Sequence, residues 1–212
     1  EGTEPVVQPS GAGPSISIRD LSFSYPDRAD EPALCGLSLD IEAGSVVGIV
    51  GKTGSGKTSL LRVLARLYDP PAGSITVDGT DITRLGREVW RRRVSMAPQR
   101  PFLFSDSIAE NISLGTVPED GAVREAVERA AFGPDLKVLP EGLETVVGQR
   151  GIMLSGGQRQ RVALARALIR GADLVLLDDV LSAVDHKTEQ ALVKGLRGEG
   201  SGRAAPPTVV IV

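Results

Sequence analysis

Apolar and polar residues alternate from Ser15 to Tyr25, with Ile16, Ile18, Leu21 and Phe23 on the apolar side, as in a half-buried strand. Leu37 to Ile41 repeats the pattern. Ser45 to Val50 is a short apolar run, which suits a strand buried on both faces. From Thr58 to Tyr68 the spacing turns helical, with Leu61, Leu64 and Tyr68 on one side. Ser74 to Val77 predicts another short strand, closed by Asp78-Gly79. Helices are expected over Arg87–Arg93, Ser107–Ile112 and Gly121–Phe132, the last broken by Gly133-Pro134. Gln158–Arg170 is strongly amphipathic, with Val162, Ala165, Leu168 and Ile169 on one side and arginines outside it. Leu174–Leu177 is a fully apolar strand, and a helix over His186–Leu196, a loop and an apolar strand over Thr208–Val212 follow. Strands and helices that alternate in this way predict an α/β sheet with parallel central strands.

Composition narrows the classes. Glu1–Pro14 is rich in Gly, Pro and polar residues and reads as a linker or tail, which leaves 15–212 for one domain. The net charge of −3 offers no basic footprint for a nucleic acid. The single cysteine, Cys35, excludes a disulfide within the chain and fits a reducing compartment; a small buried apolar role is expected for it. No stretch approaches the roughly 18 apolar residues of a membrane span, and no basic stretch followed by an apolar run opens the chain. Membrane association is therefore expected only through a partner or through sequence outside these residues.

The chemistry concentrates at Gly51-Lys52-Thr53-Gly54-Ser55-Gly56-Lys57-Thr58, which fits G-x-x-x-x-G-K-[ST]. Glycines let the backbone fold tightly, so that successive N–H groups point inward at a polyphosphate. The following helix presents its positive end to the same anion. Lys57 adds a point charge for the β- and γ-phosphates and is a catalytic candidate, Thr58 offers a hydroxyl for Mg²⁺, and Ser59 is the last of the ATP-binding candidates. ATP and Mg²⁺ are the expected ligands. A site of this kind needs a carboxylate at the end of a neighbouring strand, and Asp178 follows Leu174–Leu177 in that position. Asp179 is the candidate base that orients the attacking water.

Leu154-Ser155-Gly156-Gly157-Gln158 stands between loop and acidic strand and leads into a helix. With these three motifs in order, the chain resembles the ATPase domains of ABC transporters from Ser15 to Val212. The resemblance implies a P-loop NTPase (RecA-like) core, an antiparallel β subdomain and an inserted α-helical subdomain over about residues 100–168. It implies that Tyr25 stacks on adenine and that Gln99 reaches Mg²⁺ and senses the membrane domain. It also implies that Leu154–Gln158 and Asp185, in Ser182-Ala183-Val184-Asp185, act on the ATP of a second ABC ATPase domain in a head-to-tail dimer. Phe102-Leu103-Phe104-Ser105 with Glu110-Asn111-Ile112, and Thr145–Gly151, look like exporter stretches that meet a transmembrane domain. The resemblance thereby implies a place at the cytoplasmic face of the cell membrane, held there through the transmembrane domain. The interval from Thr58 to Leu154 shows no sustained heptads of the kind that DNA-associated relatives insert. An importer subunit, a soluble ABC ATPase acting on DNA or ribosomes, and a non-catalytic nucleotide-gated module are the alternatives.

Two features depart from the family pattern. Asp179 stands where the family has Glu, and loss of one methylene withdraws the carboxylate by about 1.5 Å. General-base chemistry tolerates little of that, so slow hydrolysis at this chain's own site is expected, as in the degenerate half of a heterodimeric exporter. The one histidine, His186, follows the interface loop and reads as a solvated helix start. By resemblance a switch histidine would lie just past Val212, so the domain is expected to be truncated there.

Overall fold

The computed structural model describes residues 13–114, 116, 118–119, 121–148, 151–180, 186–196 and 205–212. They fall into two compact units. One holds the described parts of 1–95, 172–176 and 204–212; the other holds those of 96–171 and 177–203.

The first unit contains an antiparallel sheet in the order β2-β1-β4-β5, from β1 (Ile16–Ser24), β2 (Pro32–Ile41), β4 (Ile75–Val77) and β5 (Thr80–Asp81). Ile16 faces Ile41 on one side and Val77 on the other, and Ile16, Ile18 and Leu21 are buried. This is the alternation read from the sequence. Asp78 and Gly79 turn β4 into β5 with φ of 47° and 78°, the double left-handed conformation that a two-residue hairpin demands.

A second sheet has the order β3-β8-β7-β6, with β3 (Val46–Gly48), β6 (Val94–Ala97), β7 (Leu174–Leu177) and β8 (Thr208–Ile211). β3 and β8 run parallel, with Val46 opposite Val209. β7 and β8 are buried throughout. β3, expected to be buried on both faces, is only half-buried, and Val50 beyond it is 95% exposed. The reason is position: β3 is the outermost strand of the described sheet and has one neighbour. β6 was not anticipated, because Ser95 and a preceding run of arginines mask its apolar character.

Helix α1 (Lys57–Leu64) buries Leu60, Leu61, Val63 and Leu64. It ends four residues before Tyr68, the expected limit, because Arg66 adopts a φ of 51°. Trp90, on α2 (Arg87–Arg92), donates its indole N–H to the Leu64 carbonyl at 2.8 Å and satisfies that helix end. The arginine run of α2, expected on a solvated face, divides. Arg91 and Arg92 are exposed, Arg91 donating to the Arg66 carbonyl, but Arg93 pairs with Asp173 at 2.8 Å over the Trp90 ring.

The second unit is mainly helical. α3 (Ile108–Ser113) and α4 (Ala122–Arg129) pack on α6 (Gly156–Ile169), burying Ile108, Ile112, Ala126, Val127, Val162, Leu164 and Leu168. Each large side chain so buried contributes about 1.5–3 kcal/mol. Gly133-Pro134, expected as a break, opens a further short helix, α5 (Gly133–Leu136). Proline fits there because the first turn needs no N–H from it. α7 (His186–Leu196) packs against α4. Among the described residues no helix is long and apolar enough to cross a membrane.

Candidate functional site

The glycine-rich loop leaves β3 and enters α1. Gly54 and Gly56 have φ of 81° and 88°, in the left-handed region that favours glycine. A Cβ on Gly56 would lie 2.3 Å from the carbonyl oxygen of Ala33, so β2 itself forbids a side chain there. Gly56 offers α1 no side-chain cap. Lys57 folds back over the loop and donates its Nζ to the carbonyls of Gly51 at 2.8 Å and Lys52 at 3.1 Å. Ser55 N–H closes the turn on the Lys52 carbonyl. The loop thus has a cation over it and a helix dipole beneath it. It borders a cavity of about 450 Å³ whose other wall is Leu34, Leu37, Leu39, Ile49 and Val50. That volume lies within the ~300–1,000 Å³ of small-molecule sites. Cys35, expected to be buried, is exposed and lines this cavity, because it sits on the solvent-facing side of β2.

Tyr25 is half-buried at the end of β1. Its hydroxyl lies 2.9 Å from Ser59 Oγ on α1 and accepts from Arg62 at 3.3 Å. Its ring meets Phe23 and Tyr68 edge-on at 5.1 and 5.0 Å. An aromatic cluster therefore anchors Tyr25 beside the helix that the loop starts.

In the other unit, Asp178 follows β7, is 4% exposed, and gives its N–H to the Ala97 carbonyl at 2.9 Å. Asp179 has a φ of 57°, uncommon for a residue with a side chain. Its Oδ2 accepts from Gln99 Nε2 at 3.0 Å, which brings together two of the residues singled out from the sequence. Its backbone carbonyl accepts from Gln160 Nε2, also at 3.0 Å. Gln160 was missed, since one glutamine inside an amphipathic helix gives no signal of its own.

The Ser155–Gln158 turn starts α6 with a capping box. Ser155 Oγ accepts from the Gln158 N–H at 3.2 Å, and Gln158 Oε1 accepts from the Ser155 N–H at 2.9 Å. Gln158 Nε2 continues to Asp135, which also pairs with Arg161. Leu154 is buried. Arg166, on the same helix, donates to Asn111 and to the Phe102 carbonyl, and burial pushes its pKa down. It supports the loop on which Phe102 and Phe104 stack edge-to-face at 5.0 Å, 67% and 48% exposed. Gln149, Arg150 and the interface loop at 181–185, with Asp185, lie outside the described residues.

The family model described as "ABC transporter" matches residues 34–182, which include the loop, the capped turn and the acidic strand. The chain belongs to the ABC transporter family. This ABC chain is 42% identical over its full length to "Multidrug resistance-like ATP-binding protein MdlA" of Escherichia coli, covering 35% of that protein. It is 46% identical over 86% of its length to the "ATP-dependent lipid A-core flippase" of Methylococcus capsulatus, covering 30% of it. A solved structure, "Structure of a bacterial Atm1-family ABC exporter with ATP bound", superposes with a TM-score of 0.82 at 38% identity. It covers 94% of this chain and 35% of the other. The chain thus spans about a third of the length of these relatives. The α/β fold expected from the sequence is the fold of this ABC family member.

The donors expected for Mg²⁺ are a hydroxyl (Thr58), a carboxylate (Asp178) and an amide oxygen (Gln99). These are the hard oxygen ligands that the ion prefers, and Asp178 is a buried carboxylate at a strand end, so the chemistry of the donor set suits the ion. Among the described residues no cluster of three His, Cys, Asp or Glu forms an all-protein cage.

Proposed function

We propose that this chain is the ATP-binding module of an ABC exporter, and that it holds ATP more readily than it hydrolyses it. One observation carries the reading. The Gly51–Thr58 loop combines left-handed glycines, an uncapped helix start and a lysine folded over it, beside a cavity of ligand size. Backbone N–H groups and the helix dipole would meet the phosphates, and Lys57 would exchange its carbonyl partners for phosphate oxygens. Lys52, Thr53 and Ser55 would contribute loop N–H groups, and Tyr25 an aromatic surface for the base. Mg²⁺ would neutralise phosphate charge, with Thr58, Asp178 and Gln99 as its protein donors.

ATP would join this domain head-to-tail to a second ABC ATPase domain, with Leu154–Gln158 and Asp185 serving the partner's nucleotide. Closure and reopening would drive export through a transmembrane domain at the cytoplasmic face. The exposed Phe102–Phe104 pair and the apolar residues Val146 and Met153 support a protein contact on that unit. The domain would occupy residues 15–212 behind a linker over 1–14, with its helical part over about 100–168.

Slow chemistry at the chain's own site rests on Asp179. Its carboxylate is one methylene short and is engaged by Gln99. In the assembled transporter, Asp179→Glu is expected to raise ATP turnover at this site. A single-turnover rate no higher than the parent's removes the low-activity reading.

A further inference from the structure

Asp179 is held at two atoms by two glutamines from different elements. Gln99 holds the carboxylate, and Gln160 holds the backbone carbonyl. The backbone between them is in the left-handed region, where a non-glycine residue stays only if its surroundings over-determine it. The neighbours on either side, Asp178 and Val180, are 4% and 2% exposed, so the chain cannot relax by moving as a whole. Freed at its carbonyl, Asp179 would relax by rotating its own dihedrals, and that swings the Cα–Cβ bond and the carboxylate with it.

Gln160 stands one helical turn beyond Gly156, about 6 Å along α6. A helix is stiff over one turn. The turn Ser155–Gln158 and the amide that holds Asp179 therefore move together. We propose that Gln160 is a positioning residue. It fixes the backbone of Asp179 in its left-handed conformation and so ties the position of that carboxylate to the helix that begins at Ser155. The inference deepens the reading of Asp179 as the base position and depends on it for its kinetic consequence. The hydrogen bond itself does not.

Two measurements separate these levels. The first places Gln160→Met, which keeps length and volume but loses the N–H donors, in the Asp179→Glu background of the assembled transporter. The kcat is expected to fall about tenfold with KM for ATP unchanged, inside the ~10²-fold that a 1 Å misplacement can produce. Gln160→Lys, which restores a donor on a longer stem, is expected to recover most of the loss. The second uses the fact that Asp-Val occurs once in the 212 residues, at Asp179-Val180. Carbonyl-¹³C aspartate with ¹⁵N valine therefore gives one cross peak in a sample of these 212 residues, and Gln160→Met is expected to move its carbonyl shift upfield as the bond is lost. An unmoved peak overturns the hydrogen bond. A moved peak with full turnover in the double variant overturns the positioning role, as does a parallel loss in kcat, KM and melting temperature. If Asp179→Glu alone is no faster than the parent, the base reading falls, and the cross peak still decides whether Gln160 holds Asp179.

Discussion

Two of the glycine-bearing helix starts, at α1 and at α6, are built on opposite principles. At α1, Gly56 is left-handed, provides no cap, and presses so closely on β2 that a Cβ would sit 2.3 Å from the Ala33 oxygen. At α6, Ser155 and Gln158 cap each other, and Gly156 has nothing within 4 Å of where a Cβ would be. The first glycine is demanded by the chain's own packing. The second is not demanded by any neighbour among the described residues, which leaves room there for something that approaches from outside. One start takes its shape from the fold around it; the other is self-satisfied and leaves open space above it among the described residues.

The comparison can be broken most sharply at Lys57. Lys57→Ala removes the cation over the loop along with its bonds to Gly51 and Lys52, so ATP affinity is expected to fall at least roughly 100-fold. Equilibrium binding of a fluorescent ATP analogue checks this, and unchanged affinity would refute the assignment. Next comes Gly56→Ala. The left-handed strain alone costs about 1–3 kcal/mol, and the clash with Ala33 adds to it, so the denaturant midpoint and ATP binding should fall together. The smallest effect on stability is expected at Gly156→Ala, where alanine suits the helix and can add about 0.4–1 kcal/mol. Turnover in the assembled dimer should nevertheless drop while this chain's own ATP affinity stays put. Equal destabilisation by the two glycine variants would erase the contrast.

Much of this was legible in sequence. The alternation of Ile16, Ile18 and Leu21 and the unbroken Leu174–Leu177 needed only periodicity, because burial on one face or two leaves that mark directly. The loop at Gly51–Thr58 was legible because its chemistry is local, a turn, a lysine and a hydroxyl within eight residues. What failed were properties set by neighbours far along the chain. The half-exposure of β3 follows from its place at a sheet edge, and the exposure of Cys35 from the face of β2 that it occupies. Arg93 left the solvated face because Asp173, distant in sequence, lies beside it.

The sequence by itself determined the strand and helix periods and the order of the three motifs, since each depends on residues within one turn or strand. Only the tertiary structure decided which glycine is sterically compelled, and that Tyr25 reaches Ser59 through its hydroxyl. It alone decided that Gln99 and Gln160 converge on one aspartate. A hydrogen bond reaches about 3 Å, and no pattern along the chain states which residues folding will bring that close.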